Sequence, residues 1–294
     1  MPKPTQVKKG YLRGVRGVLI TPLNADGSKP YPAPEKHWID TAQEVSVEAE
    51  VVEGDSDELR GGDRILVRVE EDDIVVGAEL GFTDARFDAK ATELIAGGTL
   101  IYDGDNPDVI VGWEAPKIED QYNRKPFWAD VFVQAYNAAG GREAYLMYSF
   151  RYCKGYAPNI THSDQEWGTP EFTIKARENP ATGESTYKKE FVGVLPPEPP
   201  TNLQATPGDA QVTLTWDAVP NADSYKVFYY AGSSAPTDPS DWIEADEGTT
   251  ITDTTHTVTN LQNDTEYVFA VIAVNEATES GLSDVVNATP TTGA

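Results

Sequence analysis

The sequence predicts a mainly β protein made of two successive β domains, and three observations lead there. Gly (24) and Pro (21) are frequent but scattered between short apolar runs, the spacing of a chain with many turns. Aromatic residues, 10% of the chain, sit with valines in alternating segments, which favours half-buried pleated strands. A length of 294 residues gives room for two ordinary cores, neither needing disulfides or metals to hold it.

The domain boundary falls at Leu195-Pro196-Pro197-Glu198-Pro199-Pro200. Its prolines lack amide donors for a sheet and favour extended polyproline II, at ~3.1 Å per residue. The expected division is a first domain over 1–194, a short linker over 195–200 that holds the second domain off the first, and a second domain over 201–294.

Val45-Ser46-Val47-Glu48-Ala49-Glu50-Val51 alternates strictly, with apolar residues on one face and Ser46, Glu48 and Glu50 on the other. That is a half-buried strand. The next segment, Glu53 to Gly62, combines turn residues with charge and has no apolar face, so it reads as an exposed loop. Asp63 to Glu70 and Ile74 to Phe82 are predicted to pair as a hairpin through the acidic turn Glu71-Asp72-Asp73. Between Asp88 and Gly98 a capping aspartate, good helix formers and a terminal Gly-Gly predict one short helix. Ala129 to Asn137 and Glu143 to Cys153 form a second hairpin, turning through 138–142, whose Tyr, Phe and Val content marks the most buried strands. Glu171 to Ala176 and Tyr187 to Val194 are further strands.

The formal charge is −25 and uneven: residues 198–294 carry one cation, Lys226, against fifteen carboxylates. Such a balance opposes tight wrapping of nucleic acid, whose affinity comes from cations neutralising phosphates. The single cysteine, Cys153, has no partner for a disulfide and is expected in the core. The N-terminus has no apolar h-region and no run reaches the ~18 apolar residues needed to span a bilayer, so membrane insertion is not expected.

Little in the sequence points to catalysis. His37, His162 and His256 are far apart and in no metal-binding spacing. Nucleophile elbows, Walker loops and Rossmann glycine patterns are missing, and 48 acids make chance carboxylate pairs too common to indicate a glycosidase. Asp103-Gly104-Asp105-Asn106-Pro107-Asp108 has the oxygen ligands of a calcium-loop fragment. Pro107 and the lack of a glutamate at the twelfth position contradict an EF-hand, so it reads as an acidic turn. No cofactor and no enzymatic activity are expected.

From Pro200 onward the residues resemble the fibronectin type III family. Asn202 to Thr206 matches its first strand and Val212 to Trp216 its second, ending on the core tryptophan; Tyr225 to Tyr229 supplies the next. Leu261-Gln262-Asn263-Asp264-Thr265-Glu266-Tyr267 resembles the tyrosine corner. The resemblance implies an immunoglobulin-like β-sandwich in which Trp216, Tyr225, Leu261 and Tyr267 are core residues. Asn263 stands where the family often has proline, which should loosen the corner slightly. There is no Arg-Gly-Asp tripeptide to support integrin adhesion.

Residues 1–194 resemble the major tail (tail tube) proteins of long-tailed bacteriophages. The resemblance is carried by Gly14 to Leu23, the acidic strand Val45 to Val51, the loop ending Glu58-Leu59-Arg60-Gly61-Gly62-Asp63, the helix closing on Leu94-Ile95-Ala96-Gly97-Gly98, and an immunoglobulin-like extension. It implies a β-sandwich or barrel with one short flanking helix, a homo-oligomer of stacked, hexameric rings, and a lumen that conducts double-stranded DNA without binding it. In that setting Glu48 and Glu50 are candidates to line the lumen. Asp55, Asp57, Glu58 and Arg60, with the arm Met1 to Gly10, are candidates for contacts between rings. Partners would be other copies of the chain and tail proteins such as the tape measure and the tail terminator. The location would be the virion, after assembly in the host cytoplasm. The C-terminal domain would decorate the exterior and touch the host surface weakly. The rival expectation is a secreted carbohydrate-active or adhesive protein with an accessory module.

Overall fold

The computed structural model describes residues 10–33, 35–61, 64–106, 109–245 and 248–292. In the first part of the chain the strands are β1 (Tyr11–Pro22), β2 (His37–Ile39), β3 (Ala42–Val52), β4 (Ser56–Gly61), β5 (Arg64–Glu70) and β6 (Ile74–Asp84). The helix α1 (Ala89–Ala96) follows, then β7 (Thr99–Tyr102), β8 (Ile110–Glu114), β9 (Phe127–Tyr136), β10 (Arg142–Gly155), β11 (Glu171–Ala176) and β12 (Tyr187–Val192).

Eight of these strands form one antiparallel sheet in the order β2-β1-β9-β10-β11-β6-β3, with β12 also on β10. The branch point is β10. Its residues Tyr145 to Phe150 pair with β12, and Cys153 to Gly155 pair with β11. A register irregularity against β9 between Phe150 and Cys153 marks the bend. Beyond it the sheet curls until β1 and β3, far apart in strand order, touch each other.

Inside the curl the inward residues of each strand meet in one core. Val18 and Ile20 come from β1, Leu80 and Phe82 from β6, Phe127 and Val131 from β9, Phe172 and Ile174 from β11, and Ile95 from α1. Cys153 is buried there too, and burial pushes its thiol up from the usual range. Phe82 and Phe172 are paired across β6 and β11 and stack with centroids 4.8 Å apart. Phe172→Ala is expected to cost about 3–5 kcal/mol through lost transfer energy and the cavity left behind, read from the denaturant midpoint.

The predicted hairpin between 63–70 and 74–82 does not form. β6 pairs with β3, and β5 pairs with β4, so the expected loop at 53–62 contains a strand and β4–β5 is a ribbon inserted between two sheet neighbours. The reason lies in the faces: Val45, Val47 and Ala49 of β3 register with Phe82, Leu80 and Ala78 of β6. Matching two half-buried faces over that length outweighs local closure of the 71–73 turn.

The predicted helix is present. The Asp88 side chain caps it by accepting from the Ala91 amide at 3.0 Å, and Gly97 ends it at φ 77°, in the left-handed region. His37 bonds the same carboxylate at 2.7 Å. Burial alone would raise Asp88, but the His37 bond and the helix amide outweigh it and bring the carboxyl to about 2. A carboxylate lowered in the folded state contributes stability above its ordinary value that is lost as pH falls. Asp88→Asn is therefore expected to lower stability by roughly 2 kcal/mol at pH 7 and to flatten the acid limb of the stability profile between pH 4 and 2.

The second part of the chain folds into two further sheets. β13 (Gln204–Gly208), β14 (Gln211–Thr215) and β17 (Thr255–Thr259) make one. β15 (Ser224–Ala231), β16 (Ile243–Glu244), β18 (Tyr267–Val274) and β19 (Val286–Ala288) make the other. Trp216, Tyr225, Leu261 and Tyr267 are buried between them. The Tyr267 hydroxyl accepts from the Gln262 amide at 3.1 Å, which closes the tyrosine corner. Asn263 offsets the expected loosening, because it accepts from the Ala210 amide and donates to Asp209, both at 2.8 Å.

Candidate assembly surfaces

The solvent face of β3, β6 and β11 holds the two carboxylates proposed for a lumen, in different states. Glu50 lies opposite Gly77 and is ion-paired with Arg177 at 2.6 Å, with Lys175 at 3.9 Å. The Arg177 hydrogen bond holds its carboxyl below the usual range. Gly77 makes this pair possible: a Cβ there would lie 2.1 Å from Arg177 Nη1 and 2.7 Å from the Ala176 carbonyl. Glu48 is exposed and stands directly opposite Glu79, also exposed. The face is therefore acidic along β3 and β6 and neutralised beside β11.

The β4–β5 ribbon has two unlike faces. Leu59, Ile65, Val67 and Val69 are each more than half exposed, and the register places Leu59 opposite Val67 and Asp57 opposite Val69. The other face is charged, with Arg68 paired to Glu58 at 3.7 Å and Glu70 at 2.5 Å. Asp55 accepts from the Ser56 and Glu71 amides at the base of the ribbon. The side chain of Arg60 and residues 1–9 lie outside the described residues. Exposed Val51, Val52, Ile74 and Val75 continue the apolar character down the stem. A two-stranded ribbon is marginal in water by itself, and an uncovered apolar row of this kind marks a contact surface.

The expected spacer between the domains is instead part of a seam. Pro197 and Pro200 are buried, Asn275 donates to the Leu195 carbonyl at 2.8 Å, and the Gly193 amide donates to Glu276 at 2.9 Å. Ala277 joins Leu195 and Trp38 over Leu19, Phe132 and Met147, the outward face of β1, β9 and β10. Tyr31, from the β1–β2 connection, meets Phe228 edge-on at 5.8 Å, donates to Glu244 at 2.8 Å and accepts from Lys226 at 2.6 Å. Lys36 donates to the Glu279 carbonyl. Phe228, Val268, Ala270 and Ile272 face away from the sandwich core and are covered mainly within their own domain, by Trp242, Tyr230 and Leu282, with Tyr31 reaching the edge of Phe228.

For chemistry the described residues offer little. No group of three or more His, Cys, Asp or Glu side chains among them is placed to hold a metal. Asp103 accepts from the Asp105 amide at 3.0 Å, closing a turn on itself, while Pro107 and Asp108 lie outside the described residues. No described helix is long and apolar enough to cross a membrane.

The family model for the fibronectin type III domain matches residues 198–289. Those residues are a fibronectin type III domain. Among curated proteins, the chain is 39% identical over 101 residues to the tail tube protein gp17.1* of Bacillus phage SPP1, covering 34% of this chain and 34% of that protein. It is 34% identical over 95 residues to an amylopullulanase of Thermoanaerobacter thermohydrosulfuricus, covering 32% of this chain and 6% of the enzyme. Among solved structures, an Fn3-like protein from Clostridium thermocellum is 28% identical with a TM-score of 0.27, covering 33% of this chain and 95% of that one. The chain thus spans about a third of the length of the tail tube protein it matches. Each matched stretch is of the size of the fibronectin type III domain itself.

Proposed function

We propose that this chain is a structural subunit of a phage tail tube, polymerising as stacked hexameric rings. The observation that carries the reading is the β4–β5 ribbon, a hairpin whose apolar row has no cover among the described residues. A second copy supplies that cover, and head-to-tail contacts of this kind generate rings and filaments. The similarity to gp17.1* and the pairing of a large antiparallel sheet with a fibronectin type III domain support it. In this reading residues 1–194 build the tube and 201–294 stand outside it, with 195–200 joining them.

Asp55, Asp57, Glu58 and Arg60 take part in contacts between rings, beside the apolar row. The acidic face of β3 and β6 lines the lumen, where Glu48, with Glu79, repels phosphates so that DNA slides. Glu50 contributes less, since Arg177 already balances it. Partners are other copies of the chain, the tape measure and the tail terminator, and no catalytic step is involved. Negative-stain imaging of the purified protein and of virions tests this directly. Tubes or rings are expected; persistent monomers under all conditions, with no chain in isolated tails, would rule it out. The rival, an accessory module of a secreted carbohydrate-active protein, has the 95-residue likeness to an amylopullulanase in its favour. Hydrolysis of a glycan panel, lost on a single carboxylate substitution, would revive it.

A further inference from the structure

We propose that the seam is a clamp: Tyr31, Lys36 and the outward face of β1, β9 and β10 hold the fibronectin type III domain in one fixed orientation, so that the two domains move as one body. The clamp is made at separate points. Tyr31 is wedged by its ring on Phe228 and by hydrogen bonds to Lys226 and Glu244. Lys36 reaches the Glu279 carbonyl and stands 3.5 Å from Thr278 Oγ1. Glu276 and Asn275 hold the backbone on either side of Val194. All the residues contributed by the loop after β18 fall within 275–281, and the space left between that loop, Lys36, Trp38 and the prolines is a cavity of about 50 Å³, room for a water rather than for motion.

The clamp also uses the only cation of residues 198–294. Lys226 is held between Glu279 at 2.8 Å and the Tyr31 hydroxyl, so the rest of that domain's surface carries carboxylates without a cation of its own.

Lys36 gives the clamp a signature in pH. Burial first, then Lys29, lowers its ammonium to about 8, with Glu279 and Asp130 acting in the opposite sense. A released Lys36 loses the burial that the second domain supplies and moves up toward its ordinary value, near 10.5, with Lys29 and Asp130 still beside it. Between these values the released form binds more protons, so clamping tightens as pH rises from about 8 to 10 and is insensitive to this group below 8. Tyr31 and Lys226, both raised in the clamped state, act in the opposite sense only above about 10.

Small-angle scattering and thermal unfolding of the full chain test the clamp. Tyr31 and Glu276 lie outside both cores, so Tyr31→Ala and the double variant Tyr31→Ala/Glu276→Ala should leave both domains folded. The parent is expected to fit a single arrangement and to unfold in one transition. The double variant should show a larger radius of gyration and two transitions. In the Tyr31→Ala background the released fraction should fall severalfold from pH 8 to pH 10, and adding Lys36→Met should abolish that fall. A parent whose scattering already requires a spread of arrangements overturns the proposal, as does a double variant indistinguishable from the parent. If the domains are clamped but the pH response survives in Lys36→Met, the role given to Lys36 is wrong.

Discussion

Val67→Glu together with Val69→Glu is expected to abolish tube formation while leaving the subunit folded. Both valines are more than half exposed in the isolated chain and lie on a ribbon that packs on no core, so the cost to the monomer should stay within about 0.5 kcal/mol each. In the proposed tube the same positions are covered. Each substitution then forfeits roughly 1.5–2 kcal/mol of valine burial and adds the several kcal/mol needed to desolvate a carboxylate. In the proposed rings that loss recurs at every stacking contact and exceeds what a few remaining polar contacts can offset. Sedimentation should therefore show a monomer with the parent's circular dichroism and no rings or tubes. Tubes of normal length from the double variant would mean that the ribbon faces solvent in the assembly.

The alternating strands, the helix with its cap and the tyrosine corner were legible because each rests on a local rule. Period-two alternation, an aspartate before helix formers and a Tyr five residues after its backbone partner are written in consecutive residues. The β3–β6 pairing was not, since it depends on registering Val47 with Leu80 across an inserted ribbon, and the nearest acidic turn offers an easier but wrong closure. In β18 Phe269, Val271 and Ala273 are apolar on one face, and Val268, Ala270 and Ile272 are apolar on the other. A strand apolar on both faces is buried on both, and every residue of β18 from Tyr267 to Ala273 is buried. That pattern predicts cover on the outer face, and Trp242 and Leu282 of the same domain supply it, with Tyr31 of the first domain reaching only the neighbouring Phe228. The state of Glu50 was out of reach because Arg177 lies 127 positions away in sequence and arrives through space that only Gly77 leaves open.

Glu48→Lys with Glu79→Lys is expected to slow DNA ejection by about tenfold or more at low salt, from tails that assemble normally, with the effect fading as salt is raised. These two positions are the informative ones because neither carboxylate is ion-paired in the structure, whereas reversing Glu50 would set a cation against Arg177 and Lys175 and confound function with stability. Glu48 and Glu79 face each other, and exchanging one like-charged pair for another leaves the cross-strand repulsion nearly unchanged. What changes is the charge of the proposed lumen wall. Each subunit gains four units of positive charge, and every lysine that meets a phosphate adds about 0.9 to the slope of log affinity against log salt. The Debye length falls from about 30 Å at 0.01 M to about 3 Å at 1 M, so a wall effect must fade over that range, while a defect in assembly would not. Glu48→Gln with Glu79→Gln separates repulsion from attraction: it removes the first without adding the second and should fall between parent and reversal. Parent-like ejection from assembled tails of the reversed variant would place the acidic face elsewhere than on the lumen.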